Sequence, residues 1–524
     1  GNEGEEKAQK TYNYNFDGTT VKTTTTFAYT ADALTSSVTV KGQNGTVKQS
    51  ETFYAGNEGE EKAQKTYNYN FDGDQIKTTT TFTYTNDALT SSVTNKLMDG
   101  TVKKSETTYS GNEGEEKAQK TYNYNFDGTT VKTTTTFAYT ADALTSSVTV
   151  KGQNGTVKQS ETFYAGNEGE EKAQKTYNYN FDGDQIKTTT TFTYTNDALT
   201  SSVTNKLMDG TVKKSETTYS GNEGEEKAQK TYNYNFDGTT VKTTTTFAYT
   251  ADALTSSVTN KLMDGTVKKS ETTYSGNEGE EKAQKTYNYN FDGDVIKTVT
   301  SFFYTNDALM SSNTNKVAND TIVIGDVSLG AMKSITTYAG NEGEEKAQVT
   351  YNYNFDGDAI KTVTSFTYTN DALTLSVTNK VSNVTGDTTA IITGVKKSET
   401  FYAGNEGEEK AQKTYNYNFD GTTVKTTTTF AYTADALTSS VTVKGQNGTV
   451  KQSETFYAGN EGEEKAQKTY NYNFDGDQIK TTTTFTYTND ALTSSVTNKL
   501  MDGTVKKSET TYSGNEGEEK AQKT

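Results

Sequence analysis

The sequence predicts an all-β tandem repeat, and three observations carry that expectation. The segment GNEGEEKAQ occurs ten times, beginning at Gly1, Gly56, Gly111, Gly166, Gly221, Gly276, Gly340, Gly404, Gly459 and Gly514, with intervals of 55 residues except for two of 64. A fixed period of this size marks a repeat architecture. Between the copies, apolar and polar residues alternate with a period of two, the pattern of a half-buried strand. Asp-Gly and Asn-Gly dipeptides punctuate those runs, and they are turn formers.

The repeat divides the chain into units at 1–55, 56–110, 111–165, 166–220, 221–275, 276–339, 340–403, 404–458 and 459–513, with 514–524 as the start of the next. Residues 1–110, 111–220 and 404–513 are identical. Two forms alternate, one carrying KGQNG and the other NKLMDG. The last eleven residues reproduce Gly1–Thr11. The chain therefore reads as a window on a longer array, or as a subunit continued head-to-tail by a copy of itself.

Within the first unit, Gly1–Glu6 is Gly- and Glu-rich and reads as a loop. A first strand follows, with Tyr12, Tyr14 and Phe16 on one face and Thr11, Asn13 and Asn15 on the other. Asp17-Gly18 supplies a turn. In the second strand Val21, Thr23, Thr25, Phe27 and Tyr29 share a face, opposite Lys22, Thr24, Thr26 and Thr30, and its residue types favour strands. Ala31–Leu34 reads as a turn. A third strand at Thr35–Lys41 carries Val38 and Val40. The tip Gly42-Gln43-Asn44-Gly45 rests on Asn-Gly, which accepts positive φ. A fourth strand at Thr46–Tyr54 returns. The expected core is Tyr12, Tyr14, Phe16, Phe27, Tyr29, Leu34, Val38 and their copies. In the two long units the extra residues fall between the third and fourth strands, at 317–332 and 381–395, where they lengthen an outward-facing hairpin.

An antiparallel four-stranded unit with one aromatic face cannot bury that face alone. Units of 55 or 64 residues packed against their neighbours into an elongated fibre solve this; beads on a string, each a small β-sandwich, are the alternative. The acidic loops are then well separated, solvated or bridged by cations, because like charges set directly opposite destabilise a sheet.

Composition excludes several functions. The formal net charge is −17, and there is no Cys, His, Trp, Pro or Arg. Without His or Cys, the usual general base and the soft metal ligands are missing. Without Arg, the bidentate phosphate clamp is missing as well. The acidic balance opposes nucleic-acid binding. No apolar run reaches about 18 residues, so no helix of the membrane-spanning kind is expected. Aromatic residues make up 11% of the chain, which argues for order.

Several motifs carry candidate chemistry. Asn13, Asn15 and Asp17, followed by Gly18, match the opening of a calcium loop, and Asp72 and Asp74 flank Gly73 in the second form. The position of the bidentate Glu is Thr24, however, and a strand entering an Asp-Gly turn accounts for the same residues. The GNEGEEK loop is glycine-rich but acidic, unsuited to phosphate, and reads as a solvated linker. Sequons at Asn44, Asn154, Asn319, Asn383 and Asn447 are N-glycosylation candidates at the hairpin tips. Thr24 and Thr26 are O-glycosylation candidates on a wet sheet face, where sugars would block edge pairing.

The stretch Tyr29-Thr30-Ala31-Asp32-Ala33-Leu34-Thr35-Ser36-Ser37-Val38-Thr39 resembles the tyrosine-dipeptide (YD, or RHS) repeat of bacterial surface and toxin-delivery proteins, and Tyr84–Thr94 resembles it more closely. It departs where Thr30 stands for the aspartate and where the glycine-arginine before the leucine is missing. The resemblance implies hairpins strung into an extended or spiralling sheet on the cell exterior, and does not imply an enzyme. From these readings the expected function is a non-catalytic extracellular structural fibre without a cofactor. Its partners would be copies of itself, neighbouring repeats and covalent glycans. The alternative is a cell-surface adhesin or stalk that presents 317–332 and 381–395.

Overall fold

The computed structural model describes residues 6–513 and 519–524, apart from 15–18, 71, 99, 126, 181, 209, 236, 237, 264, 277, 291, 306, 341, 370, 405, 406, 408, 434, 460, 461, 463, 489, 490, 502 and 503. Among these residues thirty-seven strands form one sheet, and each pairs antiparallel with the strand before and after it, the first and last having one partner each. In the first unit the strands are β1 (Lys10–Tyr14), β2 (Val21–Thr30), β3 (Ala33–Lys41) and β4 (Lys48–Ala55), and β5 (Lys62–Tyr69) opens the second. Four strands per unit is the expected count.

Two kinds of turn set the register. Ala31 and Asp32 both have positive φ, 46° and 70°, between the paired residues Thr30 and Ala33. This is the two-residue hairpin whose twist matches its strands. The third connection departs from expectation. Asn44 does not take the left-handed conformation; Gly42 does, at φ 73°, and the Lys41 N–H donates to Val47 O at 3.0 Å. Gly45 is fixed by space instead, since a Cβ there would stand 1.6 Å from Lys41 O. In the second form Leu97 holds the left-handed position, at φ 59°, and it and Met98 are exposed.

Each pairing in the first unit carries a register shift, at Asn13/Tyr14, Ala28/Tyr29, Thr39/Val40 and Phe53/Tyr54. Bulges bend strands and raise their twist, so four per unit make a sheet that coils. Lys22 on β2 and Lys41 on β3 reach Glu278 and Glu280, which lie between the twentieth (Val267–Ser275) and twenty-first (Lys282–Tyr289) strands. Lys77 and Lys96 reach Glu342 and Glu344 in the same way, one unit on. One turn therefore takes about eighteen strands. At about 4.8 Å per strand that is a ring roughly 28 Å across at the backbone. The chain makes two turns, and strand ends of the first meet strand ends of the second. The exposed area, 27415 Å², far exceeds the roughly 19,000 Å² of a compact monomer of this size, as a single-layer coil requires. Among the described residues the separate small β-sandwiches of the beads-on-a-string alternative are not formed, since all the strands belong to one sheet.

The expected aromatic core is not formed either. Tyr12 pairs with Thr24, and Val38 with Thr26, whereas Phe27 pairs with Ser37 and Tyr29 with Leu34. Directly opposed residues share a face, so Tyr12, Tyr14 and Val38 lie on one side of the sheet and Phe27, Tyr29 and Leu34 on the other. Bulging at Lys22 also carries Val21 to the side of Tyr14. Phe16 lies outside the described residues; its copies Phe355, Phe419 and Phe474 are almost fully exposed. Threonine fills the place assigned to aromatics. Thr25–Thr39, Thr52–Thr66, Thr80–Thr94 and Thr107–Thr121 exchange hydroxyl hydrogen bonds of 2.8–2.9 Å across neighbouring strands. Such cross-strand pairs contribute about 0.2–1 kcal/mol each. Thr24 is 2% exposed and donates to Gly42 O at 2.8 Å. Thr79, Thr134 and Thr189 do the same for Leu97, Gly152 and Leu207.

The long units do not simply extend a hairpin. Their extra segments fold back over their own unit: Ile296 N–H donates to Thr321 O at 2.8 Å, and Ile360 N–H to Thr385 O at 2.7 Å. In the first, Val317, Ile324 and Val327 pack on a buried cluster of Tyr287, Tyr289, Ile296 and Val299. Val299 and Val363 stand where other units have Thr24, because the tip carbonyl that Thr24 binds is replaced there.

Replacing Gly45, Gly155 and Gly448 by Ala is expected to lower the opening free energy of each tip by about 1–3 kcal/mol. The readout is faster hydrogen exchange at Lys41, Gly42 and Lys48 and their copies, with strand centres unchanged. Equal exchange in the variant and the parent chain would contradict the tip geometry.

Candidate functional site

Three polar constellations recur with the repeat, and each is assembled by the sheet rather than by local sequence. The first lies on the Tyr12 side. Lys48 Nζ stands 2.8 Å from Glu51 Oε2, the Tyr69 hydroxyl donates to the same oxygen at 2.9 Å, and Lys48 sits 5.2 Å from the Tyr69 ring centre. Lys103, Glu106 and Tyr124 repeat it. Burial, and then the carboxylate, raises the phenol pKa; for Tyr417 beside Glu399 it is pushed up to about 12. Such a phenol stays protonated and acts as a donor. Where Ile335 replaces the Glu, the Tyr353 hydroxyl turns to Gly386 O in the second long segment.

The second constellation explains part of the acidic loop. Beside the bulge after Leu34, the Leu34 N–H donates to Glu61 Oε1 at 2.9 Å, while the Gly59 N–H donates to Oε2 at 2.9 Å. The pairs Leu89–Glu116 through Leu492–Glu519 repeat the contact. The Leu34 amide, with the other backbone donors, holds the Glu61 carboxyl below its ordinary pKa.

The third is a lysine–glutamate seam between turns. Along the rim that carries the acidic loops, Lys62 bridges Asp87 at 3.6 Å and Glu113 at 2.6 Å, and Lys117 bridges Asp142 and Glu168. In the second turn the loops at 276 and 340 gain a further lysine from the turn before. Glu278 meets both Lys22 and Lys227, and Glu342 meets Lys77 at 2.6 Å as well as Lys282. Lys41 and Lys96 lie 2.9 and 2.7 Å from Glu280 and Glu344. Farther round, Val131, Lys132 and Gly152 face Thr369, Ala372 and Gly404 across a cleft. Burial opposes the charge of Glu278 and Glu342, but the paired lysines more than offset it, and both pKa values are lowered. The GNEGEEK loop is thus not merely a solvated linker: in the second turn it clamps the coil.

The expected site residues separate accordingly. Asn13 and its copy Asn68 face threonine, Asn13 donating to Thr23 Oγ1 at 3.0 Å, and Asn15 and Asp17 lie outside the described residues. Asn70, the copy of Asn15, is buried; its amide donates to Asp74 Oδ1 at 2.8 Å and its oxygen accepts from the Asp74 and Gln75 N–H groups. These oxygens build the turn rather than converge on a cation, and Asp72 is exposed. Among the described residues no group of three or more acidic side chains could hold a metal ion. Thr24 is not on a wet face, being buried and bonded to the tip, whereas Thr26 is exposed. Asn44, Asn154 and Asn447 are exposed at their tips. Asn319 and Asn383 instead close the long segments, Asn319 donating to Asp326 O and accepting from the Ser328 N–H, and Asn383 likewise with Ala390 and Ile392. No helix among the described residues is long and apolar enough to cross a membrane.

Because the folded pKa values of Glu61, Glu278 and Glu342 are depressed, their contribution is complete above the ordinary glutamate value near 4.5 and is lost as pH falls through the depressed values. Acid titration is expected to lower Tm below about pH 4.5 and to widen the particle in X-ray scattering, and Lys96→Ala is expected to widen it at neutral pH. Calcium titration is expected to leave Tm unchanged; a rise would restore the calcium reading of Asp72 and Asp74.

No protein-family model and no curated protein matches the chain. Two solved structures show likeness in shape. One is the crystal structure of TcdB2-TccC3-TEV, 12% identical, covering 96% of this chain and 28% of that one with a TM-score of 0.23. The other is a porin-like protein from Bacteroides uniformis ATCC 8492, 14% identical, covering 53% of this chain and 91% of that one with a TM-score of 0.18.

Proposed function

We propose that this chain is a non-catalytic structural element of a microbial cell exterior, an acidic filament built by repetition and extended by copies of itself. The observation that supports it most is the uninterrupted pairing of all thirty-seven strands. Such pairing makes each unit a wall segment, and among the described residues the 55-residue units form no buried apolar cluster of their own. Repeated sites also speak for this reading. The Lys48–Glu51–Tyr69 set recurs along the sheet with its tyrosine held as a donor, which suits cross-bracing of strands. In the YD-like stretch, Tyr29–Thr39 forms the hairpin between β2 and β3, so the part of the chain that resembles a surface-protein repeat is the part that sets strand register. Glycans on exposed Asn44, Asn154, Asn447 and Thr26 would shield the sheet, and a net charge of −17 would keep filaments dispersed.

Electron microscopy of the purified chain tests the proposal. Hollow rods or filaments about 3 nm across at the backbone are expected, with intact mass showing whether sugars are attached. Compact particles with hydrolytic activity that maps to this chain would overturn it.

A further inference from the structure

We infer that the two outer rims of the coil are mating surfaces, and that the acidic rim of one copy of this chain seats on the lysine rim of a second copy. This rests on the proposed structural role and names the surface that would serve it.

The contact already exists once inside the molecule. In the loops at 276 and 340, the first Glu takes the lysine that opens a strand, as Glu278 takes Lys22 and Glu342 takes Lys77, and the second takes the lysine that closes the next, as Glu280 takes Lys41 and Glu344 takes Lys96. Burial follows. Glu278 and Glu342 are 25% and 27% exposed and Asp307 is 8% exposed, while their first-turn counterparts Glu113, Glu168 and Asp142 are 60%, within a point, and 73% exposed. The first-turn rim therefore presents unfilled copies of the acidic half. Its clefts, of about 630 and 510 Å³, are lined by Lys62, Asp87 and Glu113 and by Lys117, Asp142 and Glu168.

The opposite rim presents the basic half. On units 404–458 and 459–513, Lys425, Lys480 and Lys499 are exposed, and Lys444 lies over the Phe474 ring, 3.7 Å from its centre. These are the positions of Lys22 and Lys41. The long segments flank this stretch, and there Lys297 already has an acid of its own, Asp320 at 3.9 Å. Stacking is thus carried by the two short units. Charge complementarity and continuity with the seam inside the coil select a second copy as the occupant.

Sedimentation velocity at low and high salt, with electron microscopy, tests this on the full chain. The acidic-side variant is Glu60→Lys, Glu115→Lys, Glu170→Lys and Glu225→Lys, and the basic-side variant is Lys444→Glu and Lys499→Glu. The acidic-side positions and Lys499 are exposed, so the acidic-side variant and Lys499→Glu alone should match the parent chain in melting temperature, and Lys499→Glu alone separates loss of the Lys444 contact with Phe474 from loss of assembly. The parent is expected to form end-to-end multimers that dissociate with salt. Each variant alone should assemble at least tenfold more weakly, and mixing the two should restore hetero-assembly. Multimers that form equally well in both variants would overturn the rim contact and leave the filament reading standing. A parent chain that stays monomeric at low salt would overturn both.

Discussion

A single-layer sheet has to satisfy its backbone along its own plane, and that constraint governs this molecule. The strands of the described residues belong to one sheet, each hydrogen-bonded to its neighbours in sequence. The hydrophobic effect, usually the dominant favourable contribution to folding, has little to work on: the clustered apolar core is Tyr287, Tyr289, Ile296 and Val299. What remains is strand pairing, reinforced by threonine ladders, tyrosine–glutamate bonds and ion pairs. Individually these are small. Repeated along thirty-seven strands they act on every neighbour, so the structure depends on repetition more than on any one contact.

That constraint also explains the bulges. A flat sheet of this length would present two long edges and two wet faces, and flat sheets over many strands are unusual. A bulge in every pairing bends the sheet until its rims meet. Only then do the lysines at 22, 41, 77 and 96 find acids some four and a half units away in sequence, at 278, 280, 342 and 344. The same bulges leave amides such as that of Leu34 to be satisfied from elsewhere, and Glu61 answers one of them.

Much of this was legible in the sequence, and what was missed has a physical reason. Period-two alternation and turn dipeptides located four strands per unit, and the repeat gave their number. Faces were misassigned because alternation within one strand says nothing about register between strands, and bulges at Lys22 and Thr35 shift that register. Thr24 was read as solvated because its type suits a wet face, whereas its hydroxyl is spent on a tip carbonyl. A signal was present: Thr24 becomes Val299 and Val363 only in the units whose tips are replaced. The seam was not legible, since pairing Lys22 with Glu278 requires the pitch of the coil. Neither was the fold-back of the long segments, because Asn319 and Asn383 look like any exposed sequon until their loops close.

Identical acidic loops along one rim should repel, which favoured reading them as linkers. The geometry removes the difficulty. Four strands separate one loop from the next, about 19 Å along the rim, more than twice the screening length of about 8 Å at physiological ionic strength. Between loops stand Lys62, Lys117 and Lys172, each shared by an Asp and a Glu. Repulsion within a rim is therefore weak, while attraction across the seam acts at 2.6–2.9 Å in partly buried surroundings. Short-range pairing across turns outweighs screened repulsion along them, so a strongly acidic chain can close on itself without a metal ion as the bridge.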